Sequence, residues 1–238
     1  MLKLLAAVLL LGSSIVQAEP LLHTDLPLNY LEQSQPDSRN QPLVIFLHGY
    51  GSNEADLFGI KDGLPASYTY LSVRAPQTLE EGSYQWFHRK GQGAYDGDSD
   101  DLRSSAALIG DFVAKAADKY HTTADKVFLV GFSQGAIMSY EVALRQPSAV
   151  GGIAALSGKL LPVLRTQLKA DKALGALAIF IGHGTDDQRL PFADGSDADS
   201  LLRKLGLAPQ FHAYPGLGHS ISEGEISDLN AWLQRINR

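Results

Sequence analysis

Between residues 43 and 238 the chain alternates short apolar runs with longer segments whose apolar residues recur at helical spacing. "LVIFLHG", "TYLSVRAP", "KVFLVGF", "VGGIAALSG", "ALAIFIGHG" and "QFHAYPG" read as strands. "DLRSSAALIGDFVAKAADKY", "SQGAIMSYEVALRQP", "DADSLLRKLG" and "ISEGEISDLNAWLQRIN" read as helices. Strands that are apolar throughout must be covered on both faces. Their alternation with helices therefore implies an α/β fold with a mostly parallel sheet between helical layers. In the first long helix Asp100 or Asp101 is the expected N-cap, and Gly206 is the expected stop of "DADSLLRKLG". Ahead of this pattern, "LLHTDLPLNYLEQ" alternates loosely, as an edge hairpin would, and "QPDSRNQP" is turn chemistry.

In open parallel sheets, ligands bind beyond the carboxyl ends of the strands. Four Gly-rich loops fall at such ends: "LHGYGSN", "GFSQG", "GHGTDD" and "YPGLGHS". In the second, Ser133 lies between Gly131 and Gly135. A serine on a sharp strand-to-helix turn needs small flanking residues, because side chains there would collide with neighbouring backbone. Such a turn presents the hydroxyl to a base. Without a base the hydroxyl is a poor nucleophile.

Of seven histidines, His219 follows the last strand and precedes the last helix, the position a base takes on this architecture. His48 and His183, at other strand ends, suit loop-ordering hydrogen bonds better. His23, His88, His121 and His212 suit surface or packing roles. Either Asp186 or Asp187 could orient the imidazole and stabilise its cation. The backbone N–H of Gln134, after the nucleophile, and that of Tyr50, in "HGYG", could receive an oxyanion.

Composition narrows the rest. The 238 residues carry a formal net charge of −6 and no Lys/Arg run, which argues against nucleic-acid binding. There is no cysteine, hence no disulfide, no thiol nucleophile and no thiolate metal ligand. "DGDSDD" resembles a calcium loop only superficially: glycine is missing at its sixth position, and the twelfth is Ala107. No cofactor or metal is implied. The first residues, "MLKLLAAVLLLGSSIVQAEP", combine Lys3, a short apolar run and small residues before Glu19. This order is that of a secretory signal peptide spanning residues 1–18, cut after Ala18. One α/β domain then spans residues 19–238, and the protein is expected to be periplasmic or secreted, with no stable membrane span after processing.

"FLHGYGSN", "VGFSQGAIMSYEVAL", "HGTDDQRLP" and "YPGLGHSI", in that order, resemble the motif blocks of the phospholipase/carboxylesterase family. That family comprises small carboxylesterases and acyl-protein thioesterases of the α/β-hydrolase fold. The resemblance implies Ser133 as nucleophile, His219 as base and Asp187 as the acid, with Tyr50 and Gln134 N–H groups as the oxyanion hole. It also sets the aromatic segment containing Trp86 and Phe87 beside the acyl pocket, although core packing suits both residues equally. The chain departs from the family in having Tyr50 where leucine is common, and Gln188 and Arg189 after the acid. The implied reaction is hydrolysis of a small or lipid-like carboxylic ester of short to medium acyl chain. Thioesterase or lysophospholipase activity on the same triad is the nearer alternative. A non-catalytic binding protein on this fold is the more distant one.

Overall fold

The computed structural model describes residues 20–90 and 96–237. The expected signal peptide therefore lies outside the described residues. Seven strands form one sheet: β1 (Tyr30–Gln33), β2 (Leu43–Leu47), β3 (Thr69–Val73), β8 (Val127–Phe132), β9 (Gly152–Leu156), β10 (Ala178–Gly184) and β11 (Gln210–Tyr214). Their spatial order is β1-β3-β2-β8-β9-β10-β11. Only β1 runs antiparallel to its neighbour, with Tyr30 opposite Val73. In β2 successive side chains enter opposite cores. Leu43, Ile45 and Leu47 join one cluster, Val44 and Phe46 the other. This two-sided burial is why the strand reads as continuously apolar.

Among the described residues five α-helices cover the sheet: α1 (Ser99–Lys119), α2 (Gln134–Arg145), α3 (Pro162–Gln167), α4 (Phe192–Lys204) and α5 (Glu223–Ile236). Ile109, Phe112 and Val113 of α1 and Ile137 and Met138 of α2 pack on one face. Leu229, Trp232 and Leu233 of α5 pack on the other, against Phe128 and Phe180. An α/β-hydrolase architecture follows, a mostly parallel sheet between helices. Among the described residues no helix is long and apolar enough to cross a membrane.

Several local expectations are corrected. The N-cap of α1 is Asp98, not Asp100 or Asp101: its carboxylate accepts from the N–H groups of both. Asp101 instead accepts from the His88 backbone N–H and faces its ring at 2.7 Å, and Asp100 pairs with Arg103. Helix α4 starts well before "DADS", at Phe192. Pro191 and Gly195 disguise its first turns in the sequence, yet a side chain at Gly195 would strike the His183 ring, with a Cβ 2.6 Å from Nδ1. The stretch before α1 carries strands that the apolar pattern does not announce. It forms a hairpin of β4 (Gln77–Glu80) and β5 (Ser83–Gln85), and then a ribbon of β6 (Arg89–Lys90) and β7 (Asp96–Gly97). The expected N-terminal hairpin shrinks to a bridge between His23 and Tyr30, after which β1 joins the sheet edge.

Candidate active site

After β2 and β3 fill one side of the sheet, the chain crosses back to lay β8 on the other side of β2. This reversal opens a crevice between the carboxyl ends of β2 and β8, where ligands bind in doubly wound sheets. Ser133 lies there, at the junction of β8 and α2. Its backbone has φ 55° and ψ −113°, a conformation unfavourable for a residue with a side chain. The turn is held by Ser133 N–H donating to Leu156 O at 2.9 Å and by Ile137 N–H donating to Ser133 O at 3.1 Å. The flanking glycines are demanded by backbone contact. A Cβ on Gly131 would fall 2.3 Å from Gly135 O, and one on Gly135 would fall 1.9 Å from Leu47 O.

His219 enters from the loop between β11 and α5. Its ring lies beside Phe132 at 4.9 Å between centroids, and its Nε2 is 2.8 Å from Ser133 Oγ. Nδ1 is 2.7 Å from Asp187 Oδ2. With the carboxylate accepting, Nδ1 carries the proton and Nε2 is left to accept from the serine. Asp187 Oδ1 accepts from the N–H groups of Arg189 and Leu190, at 2.9 and 3.0 Å. Burial pushes the Asp187 carboxyl up. The bonds from His219, Leu190 and Arg189 outweigh that, and it sits below the ordinary carboxylate range. Asp186 points elsewhere. It is exposed and accepts from its neighbour Thr185 Oγ1 at 2.9 Å.

The "HGYG" loop faces Ser133: a Cβ on Gly49 would lie 3.4 Å from that of the serine. His48 orders it. Nδ1 is 2.7 Å from Gly49 O, and Nε2 accepts from Ala75 N–H at 3.1 Å. This pattern needs the neutral ring, and burial pushes the His48 pKa down. His183 orders its own loop, with Nε2 donating to Leu190 O at 2.9 Å. The hairpin ties down the far side of the "HGYG" loop, Gly51 N–H donating to Tyr84 O and Tyr84 N–H to Ser52 O. Tyr50 itself is exposed, with the Arg89 guanidinium 4.6 Å from its ring centre. Gln134 N–H belongs to the first turn of α2, where N–H groups have no partner within the helix.

Trp86 and Phe87 are both fully buried, as core packing requires. They are tied to the loops on either side of Ser133. Trp86 Nε1 donates to His48 O at 2.9 Å. The Gln134 side chain accepts from Trp86 N–H and donates to Phe87 O, each at 2.7 Å. The sequence carries no signal of this clamp, because it joins residues about fifty positions apart. Gln134→Leu leaves the buried Trp86 N–H without that acceptor. The expected cost is roughly 1–3 kcal/mol. Urea denaturation should show a correspondingly lower midpoint, and an unchanged midpoint would remove the clamp from the account.

Among the described residues no three His, Asp or Glu side chains are grouped to hold a metal ion. A strained serine at a strand-to-helix turn, over a mostly parallel sheet, defines the class as an α/β-hydrolase. Sequence comparison then narrows it. The phospholipase/carboxylesterase family is matched over residues 28–237, and the chain belongs to that family of hydrolases. A relative, acyl-protein thioesterase 1 of Debaryomyces hansenii, is 30% identical over 210 residues, covering 81% of this chain and 90% of the relative. The carboxylesterase of Bacillus cereus superposes with a TM-score of 0.75 over 87% of this chain and 93% of its own, at 24% identity. SOBER1 of Arabidopsis thaliana gives 0.72 over 83% of this chain and 100% of its own, at 26% identity.

Proposed function

We propose that the chain hydrolyses carboxylic esters through an acyl-enzyme on Ser133. The observation that carries this reading is the unbroken line from Asp187 Oδ2 through His219 to Ser133 Oγ, at 2.7 and 2.8 Å. Ser133 attacks the acyl carbonyl while His219 Nε2 takes its proton and Asp187 holds the imidazolium. Tyr50 and Gln134 N–H groups receive the oxyanion. The intermediate collapses, His219 protonates the leaving alcohol, and the acyl group remains on Ser133. Water, deprotonated by His219, then releases the acid and restores the serine. No cofactor enters these steps.

The connections from β10 to α4 and from β11 to α5, on the His219 side of the crevice, are short. They support a shallow pocket and acyl chains of up to about eight carbons. A thioester substrate is the second reading, favoured by the relative named a thioesterase. The pattern of residues 1–18 supports a periplasmic or secreted site of action.

The test has two arms. A fluorophosphonate should label wild-type protein and leave Ser133→Ala unlabelled; an unlabelled wild type would favour the binding-protein reading. A series of p-nitrophenyl esters, run beside an acyl-CoA and a lysophospholipid, should give kcat/KM peaking at or below about eight acyl carbons. A steady climb to palmitoyl esters would overturn the shallow pocket.

A further inference from the structure

Glu225 lies in the first turn of α5, six residues after His219. It is 1% exposed, and both its carboxyl oxygens are buried without a hydrogen-bond partner. A glutamate in a first helical turn ordinarily faces solvent. This one is turned inward onto β10, where a Cβ on Gly182 would sit 2.1 Å from its Oε1. Two residues along the same face of β10, a Cβ on Gly184 would strike Leu217 O at 2.2 Å and Gly218 O at 2.7 Å. Two side-chain-free positions on one strand thus receive the two ends of the loop that carries His219. Gly184 takes its start, Gly182 the carboxyl at its end. In between, Ser222 caps α5, its Oγ accepting from Glu225 N–H at 3.2 Å.

We propose that Glu225, as the neutral acid, is a positioning residue that seats the His219 loop on β10, and that its ionisation sets the alkaline limit of activity. This rests on the functional reading above, because it acts through His219.

The surroundings have little to offer a carboxylate. From β10 the facing residues are Gly182 and Phe180, which carry no charge. From β11, Tyr214 donates to Asp228 Oδ2 at 3.1 Å, and His212 Nδ1 is 3.1 Å from the same oxygen. Asp228, on α5 itself, is the nearby charge and repels a second anion. The turn at residues 58–63 meets α5 at Ile226, and its Lys61 pairs with Asp62. The nearby Ser222 backbone N–H makes no full hydrogen bond to the carboxyl; its pull toward the ionised form is outweighed. Burial, aided by Asp228, pushes the Glu225 carboxyl up to about 8. Above that value an unpaired charge would lie in the seat and press α5 and the loop away from β10.

Glu225→Gln keeps the shape of the neutral acid and cannot ionise. Wild-type kcat/KM on p-nitrophenyl butyrate should fall at least tenfold between about pH 7.5 and 9.5. Glu225→Gln should stay within about threefold of wild type at pH 7 and lack that fall. A purely structural role would lower the Glu225→Gln profile at every pH while leaving its alkaline fall in place, and would overturn the proposal. An equal alkaline fall in both proteins overturns the proposal, as does its absence from wild type. Carboxyl ¹³C NMR of the glutamates in wild type tests the seat without any variant. One carboxyl should titrate near 8, and none above about 6 overturns it. If wild type neither hydrolyses the ester nor reacts with a fluorophosphonate at pH 7, the functional reading fails instead. The carboxyl titration then still decides whether the neutral acid occupies the seat.

Discussion

Asp187→Asn should lower kcat by about 10⁴, the size of the loss for the corresponding change in a serine protease. Asp186→Asn should cost less than about tenfold. The contrast arises from what each oxygen does. Asp187 Oδ1 accepts from the N–H groups of Arg189 and Leu190, and the Asn carbonyl oxygen can take over both bonds. The loop therefore stays folded. The Asn amide then occupies the place of Oδ2, 2.7 Å from His219 Nδ1. An amide donates where the carboxylate accepted, so Nδ1 must give up its proton and Nε2 must carry one. A protonated Nε2 at 2.8 Å from Ser133 Oγ cannot receive the serine proton. Among the described residues, Asp186 bonds through the exposed Thr185 hydroxyl and its own backbone N–H, which donates to Leu217 O. Rates of both variants on one ester, with folding checked by circular dichroism, decide the matter. A nearly inactive Asp186→Asn beside a mild Asp187→Asn would reverse the assignment.

Gly135→Ala should destabilise the protein by more than about 3 kcal/mol, beyond the usual cost of overpacking a core. The added methyl would meet Leu47 O at 1.9 Å, Leu47 C at 2.5 Å and His48 O at 2.8 Å. All three are backbone atoms, so relief requires moving β2 away from α2. That movement would also carry off the "HGYG" loop and its N–H groups. In thermal unfolding this should appear as a loss of roughly 6–12 °C or as insoluble protein. Gly110→Ala is the control. It lies within α1 with open space around its Cα, and the substitution should stabilise by about 0.5–1 kcal/mol. Equal behaviour of the two variants would show that close contact is not why residue 135 is glycine.

The parts legible from sequence are those whose causes are local. A strand covered on both faces must be apolar at every position, so "LVIFL" and "KVFLV" announce themselves and with them the parallel sheet. The glycines around Ser133 were legible for the same reason: a strand-to-helix turn this tight excludes side chains whatever else surrounds it. His219 followed from its position between the last strand and the last helix. Between Asp186 and Asp187, residue type alone left both open, since each is a carboxylate at a strand end. The tertiary structure turns only Asp187 toward His219, because its other oxygen is claimed by Arg189 and Leu190 N–H groups.

Other features depend on partners distant in sequence. The Gln134 clamp on Trp86 and Phe87 needs α2 packed against the end of the β4–β5 hairpin. The start of α4 was hidden by Gly195, whose missing side chain makes room for His183. In sequence Glu225 is one more acidic residue in a first helical turn, a favourable place beside the helix dipole. Its burial against Gly182 exists only once α5 docks on β10. Sequence alone thus determined the strands of the parallel sheet, the main helices and the chemistry on offer at the ends of the strands. Close packing of elements far apart in the chain decided which polar groups meet, because hydrogen bonds and burial act over a few ångströms of space and not along the chain.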